Sequence, residues 1–276
     1  TIIILEEGNM GKIIYHYCSA NTFKLILESK KMFLSNVETM NDIMEGEWYK
    51  KVVYSEIVKY VKDSNDVNRV WAEICYNFVS KYICCFSEDG DILSQWRAYA
   101  DDGRGFAIGF SIDDMEINRG MPWMNVSSDY SIGICNVIYD IDKQINIVKM
   151  HLDDIFNKKD ALGAVKLSQY ATIFKNPAFQ EEKEWRIIHT PIITYNENDL
   201  FDIKVTGGVS DCNFRITKFG LSSYFVWDFS KLKASPIKEI VIGPQNMTKD
   251  YILRFFLSKL EIKNVNIRKS QASYRS

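Results

Sequence analysis

One stretch constrains the fold more than any other: Tyr82 to Phe110, YICCFSEDGDILSQWRAYADDGRGFAIGF. An apolar strand (Tyr82 to Phe86) runs into a tight polar turn. A short helix (Ile92 to Tyr99), a glycine-containing turn and a second strand (Phe106 to Phe110) follow. Ser87, Glu88, Ser94, Gln95, Arg97 and Tyr99 sit where such a scaffold presents side chains to a ligand. Gly103 and Gly105 supply a turn that needs positive φ. The segment GRGFAIG is not a dinucleotide fingerprint, because its spacing is wrong and it follows a helix rather than a strand.

The remaining elements fit around this unit. Lys12 to Cys18 and Lys31 to Ser35 read as strands, with a helix between them carrying Phe23, Ile26 and Leu27 and capped by Ser19 or Asn21. Helices are predicted from about Glu47 to Val61 and Val67 to Val79, then a strand from Ile132 to Tyr139. Helices over Asp142 to Phe156 and Ala161 to Phe174 end before Asn176-Pro177, because proline restricts the residue before it. Strands are expected at Glu184 to His189, Asn213 to Lys218, Ser223 to Phe229, Lys238 to Ile242 and Val265 to Arg268, with a helix over Lys249 to Leu260. Strands and helices mix without regular βαβ alternation, which places the chain in the α+β class. With 276 residues, no repeat and no Pro/Gly linker, a single domain over 1–276 is the simplest organisation.

Composition removes several function classes. A net charge of -2 gives no generally basic surface, so nucleic-acid binding would need a local patch. The six cysteines contain no CxxC pair, and none has metal-ligand spacing; they read as buried free thiols of a cytoplasmic protein. TIIIL runs directly into Glu6 and Glu7 and is not read as a secretory signal. No apolar run reaches the length of a membrane span. GxSxG, Walker and HExxH motifs do not occur, so hydrolases and kinases of those kinds drop out.

Four constellations remain, each with a structural and a functional reading. His16 lies mid-strand, sharing a face with Ile14 while Tyr15 and Tyr17 share the other; it is either half-buried against a backbone partner or part of a site. Asn41, Asp42 and Glu45 in MNDIMEG form either a capping arrangement or a cleft wall for a polar ligand. On the short helix, Trp96 and Tyr99 either pack inward or line a site with Ser94. Glu182 and Glu184 share one face if both are in the strand; Trp185 behind them puts Glu184 at a cleft mouth rather than in a solvated charge run.

The segments YHYCS (15 to 19), MNDIMEG (40 to 46), CFSEDGDILSQWRAYADDGRGFAIGF (85 to 110), EWRI (184 to 187) and IKEIVIGP (237 to 244) resemble a bacterial family of unknown function, number two-nine-seven-one of the domain-of-unknown-function series. More distantly, the chain is similar to ADP-ribosyltransferases of the His-Tyr-Glu type. The corresponding pieces are His16, the helix with Ile26-Leu27, Cys85-Phe86-Ser87 with Ser94 to Tyr99, and Glu184 before Trp185-Arg186-Ile187. Two departures stand out: Tyr17 replaces a small residue, and Ser94 to Tyr99 is one residue longer than S-x-x-x-Y. The second resemblance implies split mixed and antiparallel sheets, with helical insertions at about 45–80 and 142–175. It implies NAD as substrate, no metal, Glu184 and His16 as catalytic residues, and contacts to NAD from Tyr17, Ser19, Phe86, Ser87, Ser94, Trp96, Arg97 and Tyr99. Arg97 or Arg104 would meet the pyrophosphate, and Asn41, Asp42, Glu45 and Arg186 would flank the acceptor or cleft. The activity implied is mono-ADP-ribosylation of a macromolecular acceptor, as in a toxin or phage-defence effector with an antitoxin or inhibitory partner. A NAD glycohydrolase and a non-catalytic nucleotide-sensing module are the alternatives.

Overall fold

A computed structural model describes residues 11–39, 44–77, 81–122, 127–196, 198–218 and 220–272. The chain opens with β1 (Ile13–Cys18), α1 (Ala20–Ser29) and β2 (Lys31–Asn36). Ser19 is the N-cap of α1, its hydroxyl accepting from Thr22 N, and Lys30 ends the helix in a left-handed conformation. Helices α2 (Met44–Tyr60) and α3 (Ser64–Tyr76) precede β3 (Tyr82–Ser87), α4 (Leu93–Tyr99) and β4 (Phe106–Ser111). β5 (Ile132–Asn136), α5 (Ile141–Phe156) and α6 (Gly163–Gln169) follow, and two 3-10 turns lead to β6 (Glu184–His189). The rest is β7 (Ile192–Asn196), β8 (Asp199–Thr206), β9 (Asn213–Thr217), β10 (Gly220–Asp228), β11 (Ile237–Ile242), α7 (Asp250–Lys259) and β12 (Asn266–Lys269). The class is α+β with mixed and antiparallel sheets, as expected.

Strand β3 organises the main sheet. Along one edge it pairs with β6 over its whole length, and β6 pairs in turn with β5. Its other edge is divided. β1 meets it through one register pair, Tyr15↔Ser87, and β2 through two, Ser35↔Ile83 and Asn36↔Tyr82. The strands β12-β11-β4 continue outward from β1, and β10-β9 continue from β2. Every pairing in this sheet is antiparallel except β11 with β12. The sheet therefore opens along β3 between β1 and β2.

Alternation along the strands sorts side chains between two layers. Cys84, Phe86, Ile187 and Leu34 join Phe23, Ile26 and Leu27 of α1 and Leu253 and Leu257 of α7 in one core. On the opposite face Ile83, Ile188 and Cys135 pack under α2, α3, α5 and α6. The two predicted helical segments thus close over one another as a single layer. Beyond the opening on that same face, α4 buries Trp96 against Tyr17, Ala107 and Val241.

Two glycines make the turn after α4. Gly103 has φ +80, where L side chains are strained, as expected. Gly105 serves differently: a Cβ there would stand 2.0 Å from Cys18 O, so only glycine lets this backbone approach β1. Among the described residues, no helix is long and apolar enough to cross a membrane. The six cysteines are free, with Cys18, Cys84 and Cys135 buried.

Candidate functional site

The opening along β3 leads into a cleft of about 900 Å³, within the size range of small-ligand sites. His16, Tyr17, Phe86, Gln95, Tyr99, Lys175, Glu184 and Arg186 line it toward one end. The strict pleat sets His16 and Glu184 on opposite faces, since Tyr15, Ser87 and Glu184 are register partners. Both reach the same cleft because β1 leaves β3 after Tyr15. His16 crosses the gap with its side chain: Nδ1 lies 2.9 Å from Cys85 O, replacing a ladder bond. A carbonyl partner requires Nδ1 to donate, so Nε2 is the acceptor of the neutral ring. Burial lowers the imidazole pKa below its ordinary 6.5, which keeps that ring neutral at pH 7.

Glu184 is a buried carboxylate inside a cationic clamp. Arg186 grips it as a fork, Nε to Oε1 at 2.8 Å and Nη2 to Oε2 at 2.8 Å. Lys175 Nζ donates to Oε2 at 3.0 Å and to Glu182 Oε2 at 2.6 Å. Arg186 Nη1 also donates to Thr172 O, at 2.6 Å. Glu184, Arg186 and Lys175 are 6%, 2% and 5% exposed, so the expected cleft-mouth position of Glu184 becomes a wall position. Burial by itself would push its carboxyl up; the Arg186 and Lys175 charges overcome that and hold it well below the usual range. Glu184 is consequently ionised at any physiological pH and cannot serve as a general acid. Glu182 does not share the strand with it. It ends a 3-10 turn (Pro177–Glu182), and Lys183 takes a left-handed conformation before β6 begins.

The α4 side chains separate cleanly. Tyr99 is 46% exposed and lines the cleft; burial, then the carboxylate of Glu182, raises its hydroxyl to about 12. Trp96 is fully buried, donates from Nε1 to Asp91 Oδ1 at 2.7 Å and lies outside the cleft lining. Of the two competing aromatics, Tyr99 is therefore the one available to a ligand. Several other expected NAD contacts also lie outside the lining. Ser87 Oγ donates to Glu182 O at 2.7 Å and ties β3 to the turn before β6. Ser19 caps α1. Arg97 is exposed, and Arg104 is held by Asp101 with Nη2 to Oδ1 at 3.0 Å. Ser94 Oγ is buried without a hydrogen-bond partner, but it too is outside the lining. Tyr17 lines the cleft with its ring while its hydroxyl donates to Asp89 O at 2.8 Å and accepts from Ile92 N at 2.8 Å. Asn41 and Asp42 lie outside the described residues, as does the side chain of Glu45.

Residues 95–187 match the sequence model of a family described as "Protein of unknown function (DUF2971)". Over these residues, about a third of its length, the chain is similar to that family. The matched stretch runs from α4 to β6 and includes Tyr99, Glu184 and Arg186; His16 and the MNDIMEG segment fall outside it. No curated protein and no solved structure matches the chain.

Sequence reading missed three cleft residues. Lys175 stands just before Asn176-Pro177, where a lysine looks like a solvated helix end. Lys81 precedes an apolar run, and Arg215 lies on an edge strand whose neighbours Phe214 and Ile216 point the other way. The available signal was a lysine set directly against a strand with no acidic neighbour in sequence.

Proposed function

We propose that the cleft binds NAD and that the chain is an NAD-using mono-ADP-ribosyltransferase. The observation that carries this reading is convergence: His16 from β1, Tyr99 from α4 and Glu184 from the start of β6 line one cleft. The distant resemblance marks His16, Glu184 and one of the two aromatics Trp96 and Tyr99, and the sheet's opening along β3 suits the split-sheet arrangement of those enzymes.

In this reading Tyr99 stacks on the nicotinamide ring. The neutral His16 ring, fixed by Cys85 O, accepts from a ribose hydroxyl through Nε2. Glu184 contributes fixed negative charge beside the ribose as the N-glycosidic bond breaks and positive charge develops at the anomeric carbon. Nicotinamide departs neutral with the bond's electron pair, so no proton donor is required, in keeping with a carboxylate that never protonates. The acceptor's nucleophilic atom then bonds to the anomeric carbon and loses its proton. With water as acceptor the same site is a NAD glycohydrolase.

A second reading, a nucleotide-binding module without turnover, draws on one specific observation. Both Glu184 oxygens are already engaged by Arg186 and Lys175. A catalytic Glu184 has to accept from the ribose beside them.

Incubation with NAD, with nicotinamide followed by chromatography and Tm measured in parallel, separates the readings. Nicotinamide release supports the enzyme. A raised Tm without release supports the binding module. Neither effect at millimolar NAD overturns both. Full turnover by a folded Glu184→Gln variant would falsify the role given to Glu184.

A further inference from the structure

We propose that the opposite end of the cleft, walled by β2, β3 and β9, is a phosphate-binding subsite in which Lys81 and Arg215 hold a phosphate or pyrophosphate group. This assignment does not depend on NAD cleavage. Both side chains line the same cleft. Arg215 rests over the rings of Phe33 and Tyr224, at 5.6 and 5.8 Å from their centroids, and its Nη2 donates to Ser35 Oγ at 2.8 Å. No carboxylate pairs with it among the described residues. Stacking thus fixes the plane of a guanidinium whose remaining donors are uncommitted to any acid, the arrangement that suits a phosphate.

Lys81 supplies the second charge. It is 2% exposed, and its Nζ donates to Ser168 O at the end of α6. It too has no carboxylate partner among the described residues. An ammonium buried without a counter-charge is costly, and an incoming anion removes that cost. Burial alone brings Lys81 down to about 7.

Arg215 stands on β9, beyond β10 and β2 from β3, but its guanidinium reaches across to Ser35. Ser35 pairs with Ile83, and Lys81 lies two residues before Ile83 on the same face, just ahead of β3. Ser35 and Lys81 are thus diagonal neighbours with Cα atoms about 7–8 Å apart, and the bond to Ser35 turns the Arg215 guanidinium toward the Lys81 end of the cleft. The other charged groups lining this end are Lys31, Glu38, Glu47 and Lys50. Glu47 is neutralised by Lys50 at 2.7 Å, and Lys31 lies 4.0 Å from Asp228. Cations therefore outnumber acids. The six residue steps from Lys81 to Ser87, the partner of Glu184, span about 20 Å. A phosphate here is not one attached directly to a ribose held at Glu184. It is the far phosphate of a long ligand or belongs to a second, phosphorylated one.

Calorimetric titration with inorganic pyrophosphate at low salt tests the assignment. Wild type is expected to bind, and Arg215→Gln, at an exposed position that leaves the fold and ligand-free Tm unchanged, to bind roughly tenfold more weakly. Lys81→Met is expected to weaken binding by a similar factor, its folding checked by circular dichroism. Equal affinity in wild type and Arg215→Gln overturns the subsite, as does no binding to wild type at millimolar pyrophosphate. A competition arm identifies the source of the phosphate. Simultaneous binding of pyrophosphate and NAD is expected and points to a second, phosphorylated ligand; pyrophosphate that competes with NAD would place the phosphate at the NAD site and overturn the separate subsite. Because pyrophosphate binding is measured without NAD turnover, it stands or falls separately from nicotinamide release.

Discussion

Two aromatics three residues apart on α4 have opposite fates. Trp96 fills the junction between Tyr17, Ala107 and Val241 and is fully enclosed. Trp96→Ala is expected to cost about 3–5 kcal/mol of stability, read by urea denaturation. Tyr99→Ala removes a half-exposed ring and should change stability by no more than about 0.5 kcal/mol, yet weaken binding of NAD in a titration. The reverse pattern would return the stacking role to Trp96. Glu184 combines structure and site in one side chain. Glu184→Gln leaves Arg186 and Lys175 facing a neutral amide in a buried place, and a loss of about 3–5 kcal/mol is expected. Activity loss in that variant therefore has to be read on protein shown to be folded.

At the level of elements, the site exists because β3 offers its outer edge to two strands and neither takes all of it. His16 donates a side-chain bond to Cys85 O where a third backbone strand would have continued the ladder. The turn after α4 fixes where β1 can lie. Gly105→Ala would place a methyl 2.0 Å from Cys18 O, with Ala100 O at 2.9 Å. Both are backbone atoms with nowhere to move, so a loss at the upper end of about 1–3 kcal/mol, or more, is expected on thermal unfolding. Most strands and helices were readable from pattern, including β1, β3, α4 and β6 close to their observed ends. The hairpin of β7 and β8 was not. Its residues ITYN and DLFDIKVT mix exposed Tyr195, Phe201 and Ile203 with charges, so neither strand shows a clean buried face.

The whole molecule should respond to pH through its buried bases. His189 is fully buried between Ser131 O and Val209 N, and burial lowers it from 6.5 to about 4. Between these values the unfolded chain binds the proton and the folded chain does not, so stability rises with pH there. The contribution is complete above pH 6.5 and disappears as pH falls through about 4. Urea midpoints measured from pH 7 to pH 4 should fall less steeply for His189→Gln than for wild type. Lys81 acts in the same direction at higher pH. Its folded value of about 7 lies below the ordinary 10.5, so its burial penalty is complete below pH 7 and is relieved as pH rises toward 10.5. Lys81→Met should flatten that alkaline rise.

The sequence alone determined the α+β class, the order of elements and the alternation that puts His16 opposite Tyr15 and Tyr17. These follow from local periodicity and from turn and cap chemistry, which neighbouring residues dictate. Through the distant resemblance it also pointed to His16, Glu184 and either Trp96 or Tyr99 as side chains belonging together. Only the tertiary structure decided that the sheet opens along β3 and brings His16, Tyr99 and Glu184 to one cleft despite the pleat. It also buried Trp96, closed Arg186 and Lys175 on Glu184, and set Lys81 and Arg215 in the lining of one cleft. Each of these depends on register between strands far apart in the chain and on which helices close over a face. Such pairings are set by burial and sheet geometry over the whole molecule, and no local run of residues encodes them.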